Sequence, residues 1–334
     1  ITEREICIGR GLCAVSTFAG MDARYVLYSL RSCKTDFIKK ATGTTFVAIT
    51  GEVVKNQVIP LPPLAEQKRI VAKIEELLPY VDRYEQAWSK LEDFNKRFPG
   101  DMQKSILQTA VQGKLVEQRP EEGTGEELYQ QIQAEKQRLI NAGAIKKEKP
   151  LPEITEDKIP FDIPDSWEWV SIGDICINIQ YGTSRKSSQT GKMAVLRMGN
   201  IQNGKLKYDN LVYSTYENDI EKYSLKCGDL LFNRTNSKEL VGKTAIYKGD
   251  MPAIFAGYLV RITPVFSDSD YLNYVMQSQF YWSYCQTVRS DAIGQSNINA
   301  EKLKHFFFPL PPLAEQKRIV AKLEEILPLC EQLT

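Results

Sequence analysis

Two kinds of hydrophobic spacing alternate along the chain. From Leu64 onward, apolar side chains fall at Ile70, Ile74, Leu77, Val81, Tyr84, Trp88 and Leu91, in steps of four and three. That is the seam of a coiled coil. The same steps return at Ile319, Leu323, Ile326, Cys330 and Leu333. Between Leu64 and Phe98, seven basic and seven acidic residues surround the seam, a balanced and solvated surface. Pro79 and Pro328 stand at matching places, and each predicts a kink or a break. The seam keeps its phase across Pro79, which favours one continuous helix. Two further helices are expected at about 101–115 and 125–142, separated by Gly113 and the turn-rich run 120–125. The segment 146–160, with three prolines and eight charges, reads as a linker. Residues 161–308 change register to short apolar runs at 167–170, 194–197, 228–233, 243–247 and 258–263. Turn signals separate them at 203–204, 226–228 and 248–250, and one helix is expected near 271–288. The fold class is therefore α+β, with globular α+β parts joined by long helices.

An internal repeat organises these elements. Residues 60–79 read PLPPLAEQKRIVAKIEELLP and residues 309–328 read PLPPLAEQKRIVAKLEEILP. Eighteen of the twenty positions are identical, and the two changes exchange Ile and Leu. Upstream the likeness weakens but persists: Tyr25 and Tyr28 parallel Tyr271 and Tyr274, and 49–52 parallels 298–301. The chain reads as two copies of one unit, each a globular part followed by a helical part. The first copy lacks most of its globular part, and the second stops early in its helix. The simplest assembly packs the two helices antiparallel, so that rod length acts as a ruler between globular parts. Because the chain opens at Ile1 without an initiator Met, it is expected to be a fragment of something longer.

Composition narrows the function classes. Charged residues make up 25% of the chain and apolar residues 43%, an ordinary globular mixture, and no apolar run has the ~20 residues of a membrane span. The seven cysteines, an odd number with no C-x-x-C spacing, read as scattered reduced thiols of a cytoplasmic protein. His305 is the single histidine, which argues against a zinc site or a Ser-His-Asp triad. Net charge is only +1, but the charge is clustered. Residues 181–208 hold six basic residues and no acidic one, and 234–248 hold four basic residues against Glu239 alone. Clusters of that kind suit phosphate contact. They also suit two merely solvated loops.

The residues that carry a family likeness are the duplicated PLPPLAEQKRIVAK segment, SILQTAVQGKLVEQ at 105–118, IPDSWEWVSIGDI at 163–175, LRMGNIQNGKL at 196–206 and GDLLFNRTNSKELVGKTAIY at 228–247. On these the chain resembles the specificity subunit of type I restriction-modification enzymes. The resemblance implies two target-recognition domains joined by two long antiparallel helices. Each domain would read one half of a split DNA sequence, while the helices set the spacer and bind methyltransferase subunits. On that template, 1–59 is the end of a first recognition domain and 60–145 the central helical region. Residues 146–160 are linker, 161–308 the second recognition domain, and 309–334 the start of the distal helix. Double-stranded DNA, methyltransferase subunits and a restriction/translocase subunit are the implied partners. S-adenosylmethionine and ATP would bind those partners, and no cofactor or metal is expected on this chain. No membrane contact is expected, and a half-subunit of this kind can dimerise.

Base reading needs Arg, Asn, Gln or Lys at a groove edge, and phosphate contact needs Lys, Arg and small polar donors. The long polar loop 181–191 offers Arg185, Lys186 and Ser187, with Lys192 just beyond it. The turn after GDLLF offers Asn233, Arg234, Asn236, Lys238 and, further on, Lys243. Gln295 and Asn297 form a third candidate. Asn233 and Arg234 have a second reading as braces of the domain. Ile70, Ile74, Leu77, Val81, Trp88, Ile319, Leu323 and Ile326 are the expected helix-packing or partner residues.

Enzyme readings fare poorly, and no catalytic residue is expected. The G-K-T at 242–244 lacks the glycine a phosphate-binding loop needs five residues earlier, where Ser237 stands. The D-I-E-K at 219–222 is only a chance-level likeness to a nuclease cluster. The competing reading is a coiled-coil adaptor that binds protein and reads no DNA. The acid-free basic stretch 181–208 counts against it.

Overall fold

The computed structural model describes residues 1–2, 4–9, 11–18, 20–42 and 48–333. The chain divides into two compact units, Ile1–Phe94 and Asn95–Thr334. The first holds α1 (Ala23–Ser32), α2 (Lys34–Lys40), α3 (Gly51–Lys55) and the leading part of α4 (Leu64–Val111). The second holds the end of α4, then α5 (Gly125–Asn141), β1 (Glu168–Ser171), α6 (Ile172–Ile175), β2 (Cys176–Tyr181) and β3 (Met193–Leu196). There follow β4 (Ile201–Gln202), β5 (Lys205–Leu206), β6 (Val212–Ser214), α7 (Glu217–Tyr223), β7 (Leu230–Asn233), β8 (Thr235–Asn236), β9 (Thr244–Ile246), β10 (Ala253–Phe255) and β11 (Leu259–Pro264). The unit closes with α8 (Ser269–Val275), α9 (Gln279–Val288), β12 (Ser290–Ala292), β13 (Gln295–Asn297), α10 (Ala300–Lys304), β14 (Phe307–Leu310) and α11 (Leu313–Glu331). Thr334, the last residue of the expected distal helix, lies outside the described residues.

An antiparallel sheet ordered β2-β11-β7-β9 is the centre of the second unit. Strand alternation gives it two apolar faces. Leu230, Phe232, Val260 and Ile262 enter a core shared with α8 and α9. Leu231 and Leu259 enter another, shared with Ala194, Leu196 and Phe255 of β3 and β10. β10 runs parallel to β3, and β6 antiparallel to it. Short ladders β12-β13-β8, β4-β5 and β1-β14 complete the strands. The crossing of α5 over β1 and β14 requires a residue without a side chain. A Cβ on Gly125 would lie 2.1 Å from the Leu310 carbonyl oxygen and 2.7 Å from the Glu168 nitrogen.

The repeat is visible as repeated hydrogen bonding. Gln67, almost fully buried, donates to the Pro62 carbonyl (2.8 Å) and accepts from the Asp22 backbone N–H (2.9 Å). Gln316, fully buried, does the same with Pro311 (2.9 Å) and Asp268 (2.8 Å). Asp22 caps α1, and Asp268 caps α8. The Tyr25 hydroxyl donates to the Pro60 carbonyl at 2.8 Å, and Tyr271 to Pro309 at the same distance. Thr50 caps α3 and Asn299 caps α10. Each copy thus ties the start of its long helix to the start of an earlier helix through one glutamine and one tyrosine. Buried amides and backbone groups left unpaired are costly, so the latch is obligatory once these segments pack.

Three expectations change. The helix expected at 101–115 is not separate, because α4 runs through Pro79 and Pro99 to Val111. Pro79 is exposed, so water can serve the carbonyl its missing N–H leaves unpaired. The helix expected near 271–288 is two, because Ser278 ends α8 and caps α9: its hydroxyl donates to Val275 O at 2.7 Å and accepts from Tyr281 N. The seam is buried in only one copy. Ile319 and Leu323 are fully buried with Leu107, Ala110, Val111 and Leu128, and Ile326 is half-buried. In α4, Ile70 and Ile74 are half-buried, while Leu77, Val81 and Trp88 are exposed. Replacing Leu323 by Asp should therefore abolish cooperative unfolding of the second unit, whereas Leu77→Asp should leave the denaturation midpoint within ~0.5 kcal/mol of the parent. Equal effects in urea titrations would contradict this assignment.

A second expectation concerns Glu315. It is buried, accepting from the Trp167 indole (2.9 Å) and the Gln118 amide (2.7 Å). Burial pushes its carboxyl above the usual range, with both hydrogen bonds opposing the shift. A raised folded-state pKa means the ionised form is the costlier one when folded. This group's stability term is fully present below the ordinary glutamate pKa and is lost as pH rises through the raised value. The stability of Glu315→Gln relative to the parent should therefore climb with pH in the window just above ordinary glutamate titration. A pH-independent difference in urea midpoints would contradict it.

Candidate nucleic-acid interface

The central sheet gathers the candidate loops at one end. Tyr181 pairs with Val260, Leu259 with Asn233, and Phe232 with Thr244. Just past these pairs, Gly182 N–H donates to Leu259 O (3.2 Å), Arg234 N–H to Tyr258 O (3.0 Å), and Gly242 N–H to Asn233 O (2.9 Å). Antiparallel pairing makes the end of β2, the start of β11, the end of β7 and the start of β9 neighbours. Loops 182–192, 234–243 and 256–258 therefore leave together. The ladder β12-β13-β8 joins them: Asn297 Nδ2 donates to Thr235 Oγ1 (2.7 Å), and Ile298 N–H to Arg234 O (2.9 Å). A cleft of about 1270 Å³, lined by Lys136, Asp174, Asp229, Arg261 and Lys304, includes the other end of β2 and β11.

Two guanidinium groups at this end are held in place. The Arg185 guanidinium lies 4.5 Å from the centre of the Tyr216 ring, and its Nε is 3.6 Å from Asp219 Oδ1. Asp219 is buried and also accepts from the Thr183 hydroxyl, which in turn accepts from Arg185 N–H at 3.1 Å. The Arg185 side chain remains half exposed. The loop can turn here because Gly182 lacks a side chain: a Cβ would meet the carbonyl oxygens of Phe255 and Ala256 at 2.3 and 2.5 Å. The Arg234 guanidinium lies 4.7 Å from the centre of the Tyr181 ring. Its buried Nε has no hydrogen-bond partner, and neither has the fully buried side-chain amide of the preceding Asn233. Stacking over an aromatic ring attracts a cation and limits its rotamers without using its donors.

The remaining candidates divide. Lys186 is exposed, Ser187, Asn236, Asn297 and Lys243 are half-buried, and Gln295 is exposed. Lys186 and Lys243 make no ion pair with a described residue. Lys238 pairs with Asp291 at 3.3 Å, and Arg289 pairs with the same carboxylate at 3.2 Å. The Ser296 hydroxyl above all, and then the Lys238 side chain, hold Asp291 below the usual carboxylate range. Lys192 lies where β3 begins, bound to Glu217 at 2.6 Å. Asn233 is covered, so its amide faces the protein interior rather than solvent.

Sequence reasoning missed the residues that brace the arginines: Thr183, Asp219, Tyr216 and Tyr181. Asp219, read only as part of a chance nuclease likeness, is the buried acceptor for Thr183. It also missed Ile293, wholly exposed at the turn between β12 and β13. Among the described residues no group of three or more His, Cys, Asp or Glu could hold a metal, and no helix is long and apolar enough to cross a membrane. Burial pushes the Cys176 and Cys285 thiols up to about 12.

Residues 13–85 and 164–333 match the family model described as the type I restriction modification DNA specificity domain. The chain is 29% identical over 324 residues to the type I restriction enzyme EcoAI specificity subunit of Escherichia coli, covering 84% of this chain and 54% of that protein. It is 28% identical over 328 residues to the EcoEI specificity subunit of the same organism, covering 84% and 55%. The chain thus spans about half the length of the curated relatives it matches. Among solved structures, the HsdS subunit from Thermoanaerobacter tengcongensis aligns over 93% of this chain and 63% of that one, with 23% identity and a TM-score of 0.42. With more than half its length matched by the family model, the chain belongs to the type I restriction-modification DNA specificity domain family.

Proposed function

We propose that the second unit recognises a DNA sequence through the loops gathered at the end of the β2-β11-β7-β9 sheet. The observation that carries the reading is the pair of arginines stacked on Tyr216 and Tyr181 at one end of the sheet, a mode of holding that does not use their N–H donors. Their planar donors match the acceptor pair of guanine in the major groove. Gln295, Asn236, Asn297 and Ser187 have the amide and hydroxyl chemistry for other base edges. Lys186, Lys243, Lys238 and Lys192 supply the phosphate contacts that hold register. Exposed Ile293 suits apolar contact with a thymine methyl. Asn233, covered by protein, stays outside the contact surface.

In the whole protein this unit reads one half of a two-part target, and the long helices set the spacing to a second reading unit. The exposed seam of α4 meets protein, with methyltransferase subunits the class of partner that fits the family and a restriction/translocase subunit joining them. Chemistry on DNA belongs to those partners, which bind S-adenosylmethionine and ATP.

Binding should be tested by gel shift on a random duplex pool, followed by selection and titration at several salt concentrations. Arg185→Ala and Arg234→Ala are each expected to weaken the selected duplex by about 1–3 kcal/mol, roughly tenfold or more, and to relax preference at one position. Lys186→Ala should weaken all duplexes alike and lower the salt slope by about one. Loss of binding by Lys304→Ala in the cleft, with Arg185→Ala and Arg234→Ala both silent, would refute the assignment.

A further inference from the structure

The sheet β2-β11-β7-β9 has two edge strands, and β2 is one of them. Gly182 N–H donates to Leu259 O, and the register of β2 on β11 continues that alternation. The backbone groups of Gln180 and Asn178 therefore turn toward Arg261 and Thr263. Those of Ile179 and Tyr181 turn the other way, where no described strand pairs with β2. No described residue outside the sheet hydrogen-bonds to the main chain of Ile177 or Ile179. Edges of this kind are commonly blunted by a charge, a proline or a bulge. β2 reads CINIQY, with no charge and no proline, and its one irregularity lies at its start, opposite Thr263 and Pro264.

The open edge faces the cleft of about 1270 Å³. Ile179 on one face of β2 and Asn178 on the other both line it, so the cleft runs along the edge and not over one face. Its opposite walls are α5 and the segment 144–154. Both walls are anchored. Lys136 of α5 donates to the carbonyls of Gly173 (2.7 Å) and Asp174 (3.0 Å), and Gln133 to that of Asp174 (2.9 Å). Glu148 pairs with Lys304 at 2.6 Å, and Leu151 lies so close to Gly173 that a Cβ there would be 2.7 Å from its Cδ1. The volume exceeds the ~300–1,000 Å³ usual for a small-molecule pocket. Outward strand donors and acceptors match another main chain, which neither a small ligand nor a duplex supplies.

We infer that this slot takes an extended acidic segment of a protein partner, which adds to β2 as a further strand. The rim charge sets the sign. Lys146, Lys147, Lys149 and Lys226 line the cleft and are exposed, and none pairs with a carboxylate of a described residue. Among the acidic lining residues, Glu148 is taken by Lys304 and Asp229 faces Arg261 at 3.8 Å. Glu168 and Asp174 are half-buried, which leaves Glu153 as the exposed acidic group without a described partner. The incoming main chain bonds the N–H and C=O of Ile179, and its carboxylates meet the lysines. The inference concerns the end of the sheet away from the arginine-bearing loops and does not depend on the DNA reading.

The test uses the chain of residues 1–334 and the fluorescein-labelled peptide TEVEVET, with TKVKVKT as its charge-reversed counterpart. Anisotropy titration should show saturable binding of the acidic peptide, at least tenfold tighter than the basic one and weakening as salt rises. Ile179→Pro removes an outward donor and leaves the bonds to β11, a change that edge strands tolerate. It should weaken binding at least tenfold, with circular dichroism matching the parent. In the parent chain, hydrogen exchange at 176–181 should slow when the acidic peptide is added, a readout that needs no variant. No saturable binding, equal binding of the two peptides, affinity untouched by Ile179→Pro, unchanged exchange at 176–181, or displacement of the peptide by a random-sequence duplex would each overturn the inference.

Discussion

A buried side-chain amide where a proline-rich strand turns into a helix is the constraint on which the second unit depends. Gln316 has no exposure and therefore needs protein partners for its donors and acceptor. It finds them in the Pro311 carbonyl, the Ser267 hydroxyl and the Asp268 N–H, and so fixes where α11 starts relative to where α8 starts. The position of α8 then passes to the sheet, because Asn273 accepts from Thr244 of β9 at 2.9 Å. β9 pairs with β7, and β7 delivers Arg234. The start of α11 and the strand end that carries Arg234 are thus coupled through a few hydrogen bonds buried in one core. Gln67 repeats the latch in the first unit, which explains why the sequence keeps Gln, Tyr and the prolines together in both copies.

The loop end of the sheet gains its definition from aromatic rings rather than from ion pairs. Tyr216 and Tyr181 hold Arg185 and Arg234 by their faces, which leaves guanidinium donors available for a ligand. Asp219 adds a weak electrostatic restraint on Arg185 at 3.6 Å, while its stronger bond goes to Thr183. Lys238 is different: Asp291 also binds Arg289 and Ser296, so Lys238 must exchange an existing partner before it can meet a phosphate. Pre-aimed arginines and lysines with adjustable partners suit a surface that separates base reading from backbone contact.

Much of this architecture was legible in the sequence because its signals are periodic or repeated. The heptad steps located α4 and α11, the near-identical twenty-residue segments located the duplication, and turn glycines bracketed β7 and β9. Failures came where a local signal met a tertiary one. The seam rightly carried α4 through Pro79, but Pro99 does not end it, so the separate helix expected from 101 merges with α4. At 271–288 the apolar pattern continues through Ser278, yet that hydroxyl caps a new helix. The candidate loops were found by polarity and charge, but their braces were not. Thr183 and Asp219 are 36 positions apart, Tyr181 and Arg234 more than fifty, and no pattern links them before the sheet brings them together. The seam was correctly periodic, but periodicity does not say which copy is covered. That depends on which polypeptide lies over it.

The central claim is that one end of the β2-β11-β7-β9 sheet meets DNA. Amide hydrogen exchange of the chain, with and without the duplex it selects from a random pool, tests it most directly. The account predicts slowed exchange on binding at 183–191, 234–243 and 293–297, with the cleft-lining segment 146–154 unchanged. Protection confined to 146–154 and α5, with the three loops exchanging as in the free chain, would contradict it.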